Sequence, residues 1–189
     1  MQRAADIVFW LALLMWFAFA VVGGVAAMAI FPAARELPLS MTGYESFIAA
    51  EPTLGRQLVA GFLVERVFDL AQRPRIVLAA IAVAALAVQL AISQRAKSAE
   101  PLRGLRIAAL VAAVASVGVS LAALEGFRAA DAKYRALAAD ETTRSQAIDA
   151  KAEVDRTHAF ASRVATAEVV SLLALAGLSA AGMGARRRA

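Results

Sequence analysis

The chain of 189 residues has no cysteine and only one histidine, His158. Disulfides, thiolate metal sites and cysteine nucleophiles are therefore excluded. A bis-histidine haem or a multi-histidine metal site within one chain is excluded with them. There is no glycine-rich phosphate loop, no Gly-x-Ser-x-Gly elbow and no set of ligands at metal spacing. The sequence thus assigns no catalytic residue, no cofactor and no metal. The most informative scarcity is local. Residues 7–31, 76–92, 107–124 and 169–185 contain no Asp, Glu, Lys or Arg, and all 20 bases and 15 acids lie between and around these runs.

A hydrocarbon core about 30 Å thick needs about 20 apolar residues to cross it as a helix, with a range near 17–25. The four runs are 25, 17, 18 and 17 residues long, and flanking residues whose charges reach outward can lengthen the shorter ones. The composition is 61% hydrophobic, above the roughly half of a soluble domain. Alanine supplies about a quarter of the residues; it favours helix and lets backbones approach closely. These features point to an integral membrane protein, a single transmembrane domain over 1–189 with spans at about 7–31, 75–93, 106–124 and 164–185.

The net charge of +5 is not a sign of nucleic-acid binding, because in a membrane protein the placement of Lys and Arg matters more than their sum. Arg3, the 94–106 connection (Arg95, Lys97, Arg103 and Arg106 against Glu100) and the terminal Arg186-Arg187-Arg188 fall on one side of a four-span chain. Segment 125–157 mixes six bases with seven acids. The consistent topology is a bacterial inner-membrane protein, up-down-up-down, with both termini in the cytoplasm. Residues 1–30 have a basic start and Ala-x-Ala triplets, but the apolar run is far longer than a signal peptide's 7–15-residue core. It reads as an uncleaved anchor.

Pro32 is expected to end the first helix, and Pro38 and Gly43 to keep residues 32–52 irregular. Glu51-Pro52-Thr53 reads as a helix start, with Thr53 as cap or first-turn residue. Over 54–73, Glu65, Arg66, Asp69, Gln72 and Arg73 share an arc of about 120° at 100° per residue. This amphipathic helix either stands up from the bilayer or lies on it, and its mixed signs favour the former, since surface binders are usually basic. Pro74 is a candidate kink. Nothing stops the third helix at Leu124, and it should continue to about Ala139. Asp140 can cap a new helix start, and from Ser145 a helix can run unbroken into span four. The fold expected is an all-α four-helix bundle whose helices 2, 3 and 4 extend beyond the membrane on the non-cytoplasmic side, with 125–157 forming an extramembrane hairpin.

Glu168 is the sharpest single feature, one residue before the last charge-free run. A carboxylate within the bilayer is a functional candidate; one at the boundary bonds water or an arginine of another helix. His158 is either a proton shuttle, as it titrates near neutrality, or an interhelical hydrogen-bonding group. Arg163 lies between them. Spacings of five place the three on different faces, so a site must draw on Glu65, Arg66 or Asp69. Those residues could equally form ion pairs with Arg128, Asp131 or Arg135. Trp16 reads as lipid-facing bulk. Serines inside the spans are expected to bond carbonyls of the preceding turn.

The stretch from Gly23-Gly24 through Ile30-Phe31-Pro32-Ala-Ala to Leu37-Pro38, the amphipathic run Gly55 to Phe68 and the lone His158 resemble small bacterial four-span membrane proteins similar to transmembrane protein 205. The resemblance covers most of the chain and implies the same four-span fold. In that pattern a Ser and an Asn succeed the histidine at helical spacing. Here Ser162 comes one residue late and Ala165 or Thr166 replaces the Asn, which places the family's polar cluster in doubt. Three functions are expected, in order: a structural or interaction protein acting through the hairpin, with an apolar patch around Phe62, Phe127 and Tyr134 and a protein partner or its own copy as ligand; a small transporter or channel component using Glu168 and His158; and a membrane enzyme.

Overall fold

The computed structural model describes residues 2–37, 39–95 and 102–186. Pro38, the connection residues Lys97, Ser98, Glu100 and Pro101, and Arg187 and Arg188 lie outside the described residues. The elements are α1 (Gln2–Glu36), a short α2 (Glu45–Ala50), α3 (Pro52–Arg95), α4 (Arg103–Ala138), a 3-10 turn at Glu141–Thr143, and α5 (Arg144–Arg186). Among the described residues there is no strand. Helices α1, α3, α4 and α5 are each long and apolar enough to cross a membrane. The chain is all-helical and has the make-up of a multi-pass membrane protein. At 1.5 Å per residue, the 44 residues of α3 and the 43 of α5 reach about 65 Å, twice a hydrocarbon core.

Several boundaries differ from expectation. Pro32 does not end α1, which continues to Glu36. Tertiary contacts hold the turn after the proline: Ala34 is buried, and Arg56 Nη1 donates to the Arg35 carbonyl at 2.5 Å. Helix α3 does start within Glu51-Pro52-Thr53, at Pro52 with Thr53 in its first turn; a proline at the first helical position loses only an N–H that would lack a partner anyway. It then passes through Pro74 as one helix. The stretch expected to be irregular contains α2, whose Phe47 is buried. Gly43 precedes it at φ 86°, a left-handed conformation favouring glycine, and donates its N–H to Glu45 at 2.8 Å. Arg103, Gly104 and Arg106 belong to α4, not to the connection before it. At the other end of α4, Asp140 does cap, accepting from the Thr142 N–H at 2.9 Å.

By its internal contacts the chain forms two compact units. The first gathers the described parts of 1–21, 71–119 and 164–189. Its core contains Phe9, Ala12, Leu13 and Trp16 of α1, Ala79, Ala82 and Leu86 of α3, Leu110, Ala113 and Val117 of α4, and Leu172 and Leu175 of α5. Each helix contributes at spacings of three and four, the stripe of one helical face. Large apolar side chains on the outer faces, such as Leu11, Leu14, Val111 and Leu173, are more than half exposed. An inside no more apolar than the outside suits helices in lipid, where close packing rather than water exclusion drives association.

The second unit comprises 22–70 and 120–163. Phe47, Leu58, Tyr134, Ala138, Ala147 and Val154 form its core, with Phe62 and Phe127 packed against them. Of the patch expected around Phe62, Phe127 and Tyr134, Tyr134 is interior, 2% exposed and edge-on to Phe47 at 6.1 Å between centroids, while Phe62 and Phe127 are half-buried. Two glycines allow close approach here. A Cβ on Gly55 would sit 2.7 Å from the Ile48 Cα, and one on Gly23 would run into the Phe68 ring.

Candidate functional site

The stripes that build the core of the first unit carry polar residues at their ends. On α5 the buried series is Glu168, Leu172, Leu175, Ser179; on α3 it is Arg75, Ala79, Ala82, Leu86, Gln89, Ser93; on α4 it is Arg106, Leu110, Ala113, Val117. Glu168 is fully buried and Arg75 is 8% exposed. The Arg75 guanidinium pairs with both oxygens of Glu168: Nε donates to Oε1 at 3.3 Å and Nη2 to Oε2. Trp16 Nε1 donates to the same Oε1 at 2.8 Å, and Arg75 Nη1 donates to Gln72 Oε1 at 3.0 Å. The two-pronged geometry is the strong form of a charge-assisted bond. Glu168 thus has a full set of partners inside its own unit.

A second buried polar group centres on Arg106, 4% exposed. Its Nη2 donates to Gln89 Oε1 at 2.7 Å and its Nε to Ser179 Oγ at 3.1 Å. The cation also lies over the Phe9 ring, 5.8 Å from the centroid, and Gln89 Nε2 reaches the Ala5 carbonyl at 3.4 Å. Ser116 and Ser171 bond back to Ala112 and Ala167, each at 2.8 Å.

No protein-family model, curated protein or solved structure matches the chain.

The other expected site residues belong to the second unit. Glu65 pairs with Arg135 at 2.9 Å, Arg135 also pairs with Asp131, and Asp69 pairs with Arg128. The Arg135 guanidinium stacks 3.7 Å above the Phe62 ring. Burial pushes the Asp131 carboxyl up from its ordinary value, Arg135 pulls it down, and Glu65 pushes it further up. His158 is exposed and rests against the Phe127 ring at 5.9 Å. Arg66 and Arg163 are exposed. Glu168 therefore does not draw its partners from Glu65, Arg66 or Asp69, and Trp16 is not lipid-facing bulk: it is 0% exposed.

Sequence reasoning missed Arg75 as the partner of Glu168, and counted Arg106 as a loop charge when it is interior. The signal was available in the spacing. Positions 75, 79, 82, 86, 89 and 93 continue one helical stripe, so a charge at 75 faces the core.

The chain also holds two hollows away from these groups. One, of about 270 Å³, is lined by Phe31, Ala34, Arg35, Thr53, Arg56 and Gln57. The other is a groove of about 430 Å³ with only apolar lining, including Ala4, Val8, Ile81 and Val88. Neither is lined by Glu168, Arg75, Arg106 or His158. Among the described residues no cluster of His, Asp and Glu could hold a metal.

Proposed function

We propose that the chain is a four-span protein of a bacterial inner membrane, up-down-up-down with both termini cytoplasmic, and that it acts as a structural or interaction protein through its second unit. One observation carries this reading. Leu63 and Leu70, seven residues apart along α3 and outside the charge-free runs, are 54% and 76% exposed. They form an apolar face in a unit whose α3 and α4 present the ion pairs of Asp69 with Arg128 and Glu65 with Arg135. Such a face fits a partner helix with an apolar stripe, from another protein or a second copy.

Transport and enzyme chemistry draw less support. Glu168 and His158 belong to different units, and each has its partner within its own: Arg75 and Trp16 for one, the Phe127 ring for the other.

Photoreactive residues at Leu63 and Leu70, crosslinked in native membranes, test the reading. One recurrent protein product, heterologous or self, supports it; products with lipid alone would sink it. Sidedness is tested separately. A cysteine at Ala139 should label from the periplasm and one at Ser98 from the cytoplasm, and the reverse pattern would overturn the topology.

A further inference from the structure

The 270 Å³ hollow lies where the last turn of α1 meets the first turns of α3, and its lining is unusual for this chain. Two of its six residues are arginines, two are neutral hydrogen-bonding residues (Thr53 and Gln57), and none is acidic. Elsewhere in the second unit, Arg128 and Arg135 each have a carboxylate in contact. Arg35 and Arg56 have none among the described residues. The only bond described for the Arg56 guanidinium is the one from Nη1 to the Arg35 carbonyl at 2.5 Å. That bond fixes one nitrogen against the end of α1 and leaves the rest of the fork free to take another acceptor. Arg35 makes no side-chain bond among the described residues. Arginine's planar fork matches the oxygens of phosphate and carboxylate. Phe31 and Ala34 supply an apolar wall beside these donors.

We propose that this hollow is a binding site for a phosphate-type oxyanion, held by Arg35 and Arg56 with Thr53 and Gln57 as neutral donors. The apolar wall accommodates carbon attached to the phosphate, so a phosphoester suits the site. A free phosphate compound and a phospholipid headgroup share this chemistry. The opening turns of α3 add a favourable field for an anion, as helix starts do. What carries the site is two guanidiniums in a shared hollow, neither with a carboxylate in contact among the described residues. It is independent of the interaction surface at Leu63 and Leu70 on α3.

The test uses the full chain purified in a zwitterionic detergent. Inorganic phosphate is titrated by calorimetry, and phosphatidic acid retention is followed by native mass spectrometry, with phosphatidylcholine as control. Binding should weaken about tenfold or more in Arg35→Gln and in Arg56→Gln, as expected for loss of a charge-assisted pair. Arg156→Gln, at an exposed position paired with Glu153, should change nothing. Binding of phosphate itself identifies a soluble ligand class; retention of phosphatidic acid without phosphate binding identifies a headgroup. No binding of either probe, or binding that both glutamine variants leave intact, overturns the proposal. If Arg56→Gln weakens the fold by releasing the end of α1, Arg35→Gln still decides the matter, because no described bond depends on that side chain.

Discussion

Removing one side of the Arg75–Glu168 pair should be far more damaging than removing both. Glu168 has no exposure and Arg75 only 8%, so whichever partner remains is a charge with no water to turn to. Breaking a buried pair from one side costs about 3–5 kcal/mol, whereas replacing both members by apolar residues of similar volume is often neutral. Glu168→Leu should therefore lose about 3–5 kcal/mol, and Arg75→Met a similar amount. The double variant should lie within about 1–2 kcal/mol of the native chain, a coupling of at least about 3 kcal/mol. The coupling is the decisive quantity, because ordinary interhelical hydrogen bonds in membranes average only about 0.6 kcal/mol. Trp16→Phe removes a single bond to the same carboxylate and should cost about 1.5–3 kcal/mol. The assay is reversible unfolding in mixed micelles, with all four variants measured under one condition. A coupling below about 1 kcal/mol, or a double variant as damaged as the sum of the singles, would refute the reasoning that the pair is desolvated and self-contained.

Gly55→Ala should lower thermal stability by about 1–3 kcal/mol, since the new methyl meets the Ile48 backbone rather than a side chain that can swing away. Gly126→Ala, which has open space at its Cβ inside α4, should instead raise stability by about 0.5–1 kcal/mol; equal effects in a melting comparison would discredit the close approach of α2 to α3. The Tyr134 hydroxyl is buried without a hydrogen-bond partner among the described residues, so Tyr134→Phe should be neutral or stabilising by up to about 1 kcal/mol. Burial, reinforced by Asp131 and then Asp155, pushes the Tyr134 phenol up from 10 to about 12. The folded state thus favours the protonated form. Its contribution is complete below pH 10 and is lost as pH rises toward 12, and ultraviolet titration should show one of the two tyrosines ionising late. The Asp140 carboxyl is held below its ordinary value by its bonds from the Thr142 hydroxyl and N–H. The protection of this turn should persist above about pH 4 and fade as pH falls through the lowered value. Hydrogen exchange at Thr142 reads this directly, and Asp140→Asn, which keeps an acceptor, should flatten the pH response.

The helices were legible because their signals are redundant. Charge-free runs, alanine and apolar stripes agree over four segments, and the Asp140 turn carries its own cap. The ion pairs of Asp131 with Arg135, Glu65 with Arg135 and Asp69 with Arg128 were within reach of helical spacing and matching charge. What failed were inferences that treated a residue in isolation. Pro32 ends a helix by its own preference, yet the contacts of Ala34 and Arg35 carry α1 past it. Trp16 in an apolar run has no local reason to face inward; its reason is Glu168, 152 positions away. Tyr134 looked like part of a surface patch because the charges around it are dense, but those charges pair over a core that Phe47 of α2 completes. The short α2 itself, six residues between two prolines, has no periodicity long enough to read.

The position of the polar residues at the ends of the stripes has a physical logic. An alanine-lined helix face is smooth: Ala79, Ala82 and Ala113 offer few ridges to set how far one helix slides along another. Small residues give close approach, but a slide of one turn, about 5.4 Å, would exchange one alanine contact for another at little cost. It would not leave the ends untouched. Moving α3 by one turn would part Arg75 from Glu168, and at the same time part Gln89 from Arg106. Each separation strands a buried charge or donor, and in an apolar surround those losses exceed anything the alanine faces could recover. The polar residues therefore do what the alanines cannot, holding α1, α3, α4 and α5 of the first unit in one longitudinal register.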